Sequence, residues 1–570
     1  MSENTSHSVA KELEQHPILA TPFRRWERVI AWISDRSSPI VVKELRQSLK
    51  SRQFVWTLML LLLAIVLWSF LGVSIALIEE VSEFGRPMLT GYVWILGFPL
   101  MVIVPFSAFR SLAREFEEET IQLVGITTME PRRIITGKLL SALVQLVIYL
   151  AAAMPCMAFT YLLGGIDLTQ IGGQVGCMAA VSMGSICLSL AFAGLGKNPL
   201  LRVANTLLLI IGLFIIYFSI NSFLGFILLE SWYGDVWSPD QVLLTIITLF
   251  TAGGYLMFQV AGSLISFPAS NRSSRVRFGA IVFHVAIMAA MFVPMLNSGF
   301  LGNTVWFVLL GLFSILIVSA HFWFIVGSLM VAEQGGLSER VRRSLPRNVI
   351  GKSLLSLYFP GPGRGYLFAL SQMLTWPIAV CIAFIVVLLW MDNSTQTAIN
   401  AVGDFAGILA EFCLYNFILG AGYLSIVFLI CRRLRHRLGR FMAPIYGLIT
   451  GIIVYALATT FAVSTTAFLY YQTELMMRRF PATMLASWPS ILADPDPTQT
   501  IFERLDQPFV AIVILLLLTL VIIAATFYAV RELNVKWLPT PQRVHAEPVK
   551  HLVPKHESES FEDIISARDD

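Results

Sequence analysis

A polar stretch, residues 110–138, concentrates charged side chains between two apolar segments of the sequence. Four of its carboxylates form a cluster: Glu115, Glu117, Glu118 and Glu119. A short apolar pattern at helical spacing follows them, made by Thr120, Ile121, Leu123 and Val124. Carboxylates bind arginine through charge-assisted hydrogen bonds, and apolar side chains fill surface grooves. The stretch therefore predicts a docking surface for another protein; the alternative is a solvated loop whose charges keep it out of a membrane.

Two segments come close to a phosphate-binding loop, in which glycines let the backbone approach phosphate while a Lys and a hydroxyl bind phosphate and magnesium. Residues 346–353, PRNVIGKS, end in the required Gly-Lys-Ser but have Pro346 where the first glycine should stand. Residues 194–198, GLGKN, lack both the first glycine and the hydroxyl. We therefore expect that this chain binds no nucleotide or other cofactor and is not itself an enzyme.

Ionisable side chains inside apolar segments are a third source of chemistry, because they are costly in hydrocarbon. The candidates are Glu411, His284 and His321. No two of them stand at metal-ligand spacing on one helix, and the sequence has no GxSxG or HExxH motif. The six cysteines form no CxxC pair and predict small buried side chains. Packing and helix–helix hydrogen bonding are therefore expected for these residues, with a transport or catalytic role as the alternative.

The elements that carry these residues are predicted from composition. The chain has 570 residues, of which 56% are hydrophobic and only 13% charged, and its mean hydropathy is +0.73. Soluble domains carry about a quarter charged residues, so the sequence predicts an all-α, polytopic membrane protein. About twelve segments are long enough to span a bilayer: 54–78, 91–109, 139–163, 175–193, 203–229, 241–267, 278–294, 304–331, 366–391, 405–430, 442–470 and 509–530. The pair 203–229 and 241–267 also permits bends or partly inserted turns.

Lysine and arginine predict the orientation of these segments. With the N-terminus in the cytoplasm, all but four of the 40 basic residues lie on the cytoplasmic side, the exceptions being Arg86, Arg478, Arg479 and Arg504. Positive charge is retained on the cytoplasmic side of membranes. Both termini are therefore predicted to be cytoplasmic, and the stretch 110–138 is predicted to lie there with them.

The chain divides by the same criteria into two six-segment halves. A Ser- and Arg-rich loop after the sixth segment predicts a boundary between 38–267 and 268–530, and the remaining residues predict cytoplasmic tails at 1–37 and 531–570. Residues 38–52 predict an amphipathic helix on the inner membrane surface. Its charged residues include Lys43, Glu44, Arg46 and Lys50. The alternative is a cytoplasmic extension of the first span with a basic anchor.

Two of these stretches resemble one protein family. SPIVVKELRQSLKSRQF, before the first span, and EFEEETIQLVGITTMEPRRIITGKLLSALV, between the second and third, resemble corresponding parts of type-2 ABC transporter permeases. The second stretch includes Thr127 and Thr128 and the Gly137-Lys138 pair that opens the next helix. The two matches occur in the family's order and spacing, and they cover residues 38–165.

The resemblance implies a membrane subunit of an ATP-driven exporter in a bacterial cytoplasmic membrane. It implies an amphipathic connecting helix at 38–52 and a coupling helix within 110–138. The coupling contact would fall on Glu117–Thr128 and would dock on a separate ATP-binding subunit, which binds ATP and Mg²⁺. The bilayer and a second permease chain would be the other partners, and nucleic acid would not be one. The family's usual unit has six spans, which leaves the second half as either a fused permease or an accessory domain.

Two other classes of function remain open from the sequence. The chain also fits a membrane scaffold or assembly subunit that moves nothing. A secondary transporter or lipid-modifying membrane enzyme would need paired charges inside the membrane, for which Glu411, His284 and His321 are the candidates.

Overall fold

The computed structural model describes residues 39–79, 84–118, 131–195, 199–229, 239–266, 270–297, 305–333, 355–391, 396–434, 443–472 and 508–534. The regular structure in these ranges is helical throughout. Eleven of the helices are long and apolar enough to cross a membrane, and a shorter apolar stretch, Ile445–Thr460, lies in a further helix. The expected all-α architecture is confirmed, and the length and composition of the helices suit repeated membrane crossing.

The described helices can be numbered in chain order. In chain order they are α1 (Pro39–Leu49), α2 (Arg52–Glu79), α3 (Gly85–Phe98), a π-helical turn (Pro99–Ile103), α4 (Val104–Glu117), α5 (Pro131–Phe159), a 3₁₀ turn (Thr160–Leu163), α6 (Leu168–Ala193), α7 (Pro199–Leu229), α8 (Pro239–Ile265), α9 (Ser273–Asn297), α10 (Val305–Val331), α11 (Pro362–Met391), α12 (Gln396–Leu434), α13 (Ala443–Gln472) and α14 (Pro508–Asn534). α7 and α8 are each one continuous helix.

Several helices extend past the apolar segments predicted from the sequence. The second span begins at Gly85 and continues through the π-helical turn to Glu117, and α5 begins at Pro131. The first eight residues of the stretch 110–138 are therefore the last two turns of the second span, and its last eight residues are the first two turns of the third. Helical hydrogen bonding continues where side chains turn polar, because charged ends of a spanning helix lie in the headgroup region.

The described chain forms two compact units. Unit 1 comprises residues up to Phe267 together with Arg272–Ile315, and unit 2 comprises Pro268–Asn271 and everything from Leu316 onward. Unit 1 thus includes α9, which packs against α8 and which the sequence-based division assigned to the second half.

The core of unit 1 contains a close parallel pair, α6 and α8. A Cβ added at Gly173 would approach Leu243, one at Gly184 would approach Phe250, and one at Gly194 would approach Leu264. Because these contacts advance in the same direction on both helices, the two helices run parallel. α7, which connects them in the sequence, runs in the opposite direction. Small residues permit such close approach where helices associate without a hydrophobic driving force.

The end of unit 1 that is predicted to face outward is held by backbone carbonyls. Gly164 and Gly165 adopt left-handed conformations with φ of 76° and 79°, which glycine adopts without steric cost. The Gly85 N–H donates to the Gly164 carbonyl over 3.1 Å, and Arg86 Nε donates to the Gly165 carbonyl over 2.7 Å. Arg86 is one of the four basic residues on the predicted outer side. It thus provides a hydrogen-bond donor for a backbone carbonyl in the turn between α5 and α6.

Unit 2 is joined by polar contacts between its own helices. The buried Tyr366 hydroxyl of α11 lies 2.9 Å from Ser425 Oγ of α12 and 3.3 Å from Thr526 Oγ1 of α14. The guanidinium of Arg432 lies 3.9 Å from the centre of the Tyr528 ring, a distance at which cation and ring attract each other. These contacts connect α12 to α11 and α14.

Candidate functional site

A buried lysine joins three helices at the predicted cytoplasmic end of unit 1. Lys138 Nζ, on α5, lies 3.2 Å from Glu44 Oε1 on α1 and 2.8 Å from Glu115 Oε1 on α4. It also donates to Ser111 Oγ over 2.7 Å, and Ser111 Oγ in turn lies 3.4 Å from Glu44 Oε2. An ammonium group has three N–H donors, so three acceptors match its full donor capacity. We call these four residues the Lys138 network.

Helical spacing places the network residues. Ser111 and Glu115 are four residues apart and therefore share one face of α4. On α1, Glu44 and Leu45 are partly buried, whereas Lys43, Arg46 and the following Lys50 are exposed. α1 consequently lies along α5 with Glu44 turned towards the network and its basic side chains turned away. This arrangement fits an interfacial helix whose cations meet anionic headgroups.

The exclusion of water gives the network its strength. The Lys138 side chain is only 2% exposed, and those of Glu44 and Glu115 are 13% and 29% exposed. Coulomb interactions are several-fold stronger near a protein interior than in bulk water. Removing one partner of such a group leaves charge without compensation in a poorly solvated place. The network therefore holds the end of α4 and the start of α5 together, and it holds α1 on both.

A second, more exposed ion pair holds the last turn of α4 to α7. Arg202 Nη1 lies 3.0 Å from Glu117 Oε1, with the two side chains 29% and 48% exposed. Beside this pair is a shallow apolar depression whose walls include Phe109, Phe116 and Phe192. Surface ion pairs contribute little to stability. The pair therefore orients the end of α4 more than it stabilises the fold.

A further contact fixes the start of α5. Arg132 Nη2 donates to Gln259 Oε1 of α8, and a Cβ added at Gly262 would lie 3.6 Å from Arg132 Cγ. The first turn of α5 is thus attached to α8, while Lys138, two turns later, is attached to α1 and α4. The segment 119–130 joins two helix ends that are each bound to neighbouring helices.

The predicted coupling residues fall on both sides of the described boundary. Glu117 and Glu118 close α4, and Glu117 is bound to Arg202. The remaining predicted docking residues lie outside the described part of the chain: Glu119, Thr120, Ile121, Leu123, Thr127 and Thr128. The described structure therefore shows how this segment is anchored.

The predicted intramembrane candidates lie on three different helices. His284 is fully buried on α9 in unit 1. His321, in unit 2, lies 2.8 Å from the Ile317 carbonyl through Nδ1 and 3.2 Å from the Tyr455 hydroxyl through Nε2. Glu411 lies on α12 and is partly buried. Within the described ranges, no three His, Cys, Asp or Glu side chains are grouped closely enough to hold a metal ion.

The sequence interpretation missed the pairing within the Lys138 network. Glu44 was predicted as part of a surface helix, Glu115 as part of an acidic docking patch, and Lys138 only as the start of the third span. One signal was available: Ser111 and Glu115 share a helical face, and Lys138 opens an apolar helix where a lysine needs a partner. That signal indicates a partner for each residue but not which one, because the contacts join residues 27 and 94 positions apart.

The fold and the network together indicate an α-helical, multi-pass membrane protein in which buried charge joins three helices at one end of unit 1. Comparison with protein-family models, with curated proteins and with solved structures finds no match to this chain.

Proposed function

We propose that this chain is the membrane-spanning permease subunit of an ATP-driven exporter whose ATP-binding subunit is a separate protein. The observation that carries the proposal is the Lys138 network, which joins both ends of the segment 119–130 and attaches them to α1. Residues 119–130 are flanked by α4 and α5, whose ends are connected by Lys138 to Glu115 over 2.8 Å. The resemblance of residues 38–165 to type-2 permeases supports the same conclusion.

The network provides a mechanical reason for this assignment. A partner that pushes on the segment 119–130 loads the ends of α4 and α5 together, because the network resists their separation. The load passes to α1 through Glu44 and to α7 through the Arg202–Glu117 pair. ATP binding by the partner would thus tilt the second and third spans as one lever and change access through the membrane domain. This chain supplies the lever, and the partner supplies ATP hydrolysis with Mg²⁺.

The proposed topology completes this arrangement. We infer twelve spans with both termini in the cytoplasm of a bacterial inner membrane, counting α13 as a span alongside the eleven longer apolar helices. The distribution of basic residues supports this orientation. It places the Lys138 network, the exposed cations of α1 and the segment 119–130 on the side where ATP is available.

Charge reversal at the end of α4 tests the proposed docking. We expect the triple variant Glu117→Lys, Glu118→Lys, Glu119→Lys to lose retention of an ATP-binding protein in affinity purification from detergent extracts, by about tenfold or more. Because Glu117 also pairs with Arg202, a matched variant adds Arg202→Glu, which restores the local ion pair with reversed polarity. Retention should stay lost in this second variant if the carboxylates contact the partner.

Several outcomes would reject the assignment. Wild-type chain that retains no ATP-binding protein, or equal retention by wild type and the triple variant, would remove the basis for a docked ATPase. If an ATPase is retained but no candidate substrate stimulates it in reconstituted vesicles, a scaffold subunit becomes the better interpretation. Loss of activity on joint replacement of Glu411, His284 and His321, with no ATPase bound, would favour a secondary transporter or membrane enzyme.

A further inference from the structure

The second span changes its backbone register at its centre. α3 ends at Phe98, and five residues, Pro99–Ile103, form a π-helical turn before α4 begins. At this turn the Val104 N–H donates to the Pro99 carbonyl, one residue further along than in an α-helix. Prolines and π-helical turns are the usual causes of sharp bends in helices, and π-helical turns occur often at functional sites.

Two prolines explain why the change occurs here. Pro99 lacks an N–H, and so does Pro105, one residue after the start of α4. In the register of the turn, the carbonyl of Leu100 would accept from residue 105, which has no proton to donate. Prolines are tolerated in spanning helices where hydroxyl side chains of neighbouring helices satisfy the released carbonyls.

A serine on α6 provides that hydroxyl. Ser182 Oγ donates to the Leu100 carbonyl over 2.6 Å, and the serine is fully buried. Elsewhere in the same helix Ser185 donates to the carbonyl four residues earlier, Val181, over 2.8 Å. The same intrahelical acceptor exists for Ser182 at Met178, because serines in helices commonly bond to the carbonyl at i−4. Ser182 thus has two alternative acceptors, one across the helix interface and one in its own helix.

The two halves of the second span are anchored separately. The outer half is held by Arg86 at its start and by the Tyr217 hydroxyl, which donates to the Trp94 carbonyl over 3.1 Å. The inner half is held by the Lys138 network and by Arg202. Between these anchors the Ser182 hydroxyl bonds the π-helical turn itself. A load on the inner half is therefore concentrated at Pro99–Ile103.

An amide on α7 lies beside the same turn with unused hydrogen-bonding capacity. Asn221 is fully buried and donates through Nδ2 to the Tyr217 carbonyl over 2.7 Å, while its Oδ1 has no hydrogen-bond partner in the described structure. A Cβ added at Gly97 would lie 2.7 Å from that oxygen. Buried acceptors without a partner are rare and costly. This acceptor is available to backbone N–H groups that bending of the turn would release.

We propose that Pro99–Ile103 is a hinge in the second span and that Ser182 is the positioning residue that keeps it closed. In the closed state Ser182 donates to Leu100. When the inner half tilts, the hydroxyl returns to the Met178 carbonyl of its own helix and the turn is free to bend. This inference rests on the geometry of the described helices and stands whether or not the chain has an ATPase partner. It adds to the proposed function the position, Pro99–Ile103, at which the second span would bend.

Hydrogen–deuterium exchange of the full chain in lipid nanodiscs tests the hinge. Ser182→Ala should increase the exchange rate of the amides at residues 100–104 by about tenfold, since one buried hydrogen bond is lost. Ser185→Ala is the matched control, because its hydroxyl bonds only its own helix in the described structure, and it should leave these amides unchanged. Equal exchange in the two variants would overturn the proposal.

Proline replacement makes the test independent of whether the serine variant folds well. Pro105→Ala restores an N–H opposite the released carbonyl and should slow exchange at residues 100–104 by several-fold in otherwise wild-type chain. On this background Ser182→Ala should have no further effect, because the carbonyl already has a donor. No slowing in Pro105→Ala, or a full Ser182 effect on that background, would contradict the hinge. Retention of the ATP-binding subunit is measured separately, so failure of the hinge and failure of the proposed function are distinguishable.

Discussion

Replacing Lys138 with methionine is expected to lower the free energy of unfolding by about 3–5 kcal/mol, the usual effect of removing one partner from a buried ion pair. Methionine fills a similar volume but leaves Glu44 and Glu115, only 13% and 29% exposed, facing each other without a cation. The reversible SDS-induced unfolding of the purified chain in mixed micelles would measure the loss.

A matched control exists within the same end of the molecule. Arg202→Met removes the same charge from the Arg202–Glu117 pair, whose side chains are 29% and 48% exposed, and should cost less than about 1 kcal/mol. The combined variant Glu44→Gln, Glu115→Gln, Lys138→Met removes every charge of the network and should recover most of the loss, because no buried charge then remains unpaired. Equal destabilisation by Lys138→Met and Arg202→Met would show that the network does not hold the three helices together.

Replacing Gly184 with leucine is expected to cost about 3 kcal/mol, at the upper end for overpacking of a helix interface. A Cβ at this position would stand 2.9 Å from the Phe250 carbonyl oxygen and 3.1 Å from its ring. The opposing residue is also a glycine, Gly254, whose own added Cβ would lie 3.1 Å from the Gly184 Cα. A backbone carbonyl cannot move aside as a side chain does, so α6 and α8 would have to separate.

The same helix offers the control for this prediction. A Cβ added at Gly172 on α6 meets no atom within 4 Å, so Gly172→Leu adds the same side chain to the same helix without a clash. It should change the free energy of unfolding by less than about 0.5 kcal/mol. If the two leucine variants unfold at the same SDS fraction, α6 and α8 do not pack as closely as described.

The sequence was sufficient to predict the long apolar helices because their signal is local. About twenty apolar residues are needed to cross a bilayer, and this requirement is visible segment by segment in the composition. The residues at which the helices begin and end were harder to predict from the sequence. The second span was predicted as 91–109, yet its helix begins at Gly85 and ends at Glu117, because backbone hydrogen bonding continues after the side chains become polar.

The proposed hinge could be predicted from the sequence only in part. Pro99 and Pro105 are visible in the sequence, and either would suggest a local disturbance of a helix. The sequence does not reveal that the disturbance is a π-helical turn or that Ser182, 82 residues from Leu100, completes its hydrogen bonding. That outcome depends on how α6 packs against the π-helical turn, since a hydroxyl must stand at hydrogen-bonding distance from one particular carbonyl.

The sequence by itself determined that this chain is helical and rich in apolar segments. It predicted that the basic residues lie on one side of a membrane, and it showed a resemblance of residues 38–54 and 115–144 to parts of one permease family. Only the tertiary structure decided which charges are paired. Glu44, Glu115 and Lys138 read separately as a surface anion, a docking carboxylate and the start of a span, and they lie together because α1, α4 and α5 converge at one end of unit 1. The physical reason is that the cost of burying a charge is relieved only by a partner within a few ångströms, and chain folding, rather than spacing along the chain, decides which residues come that close.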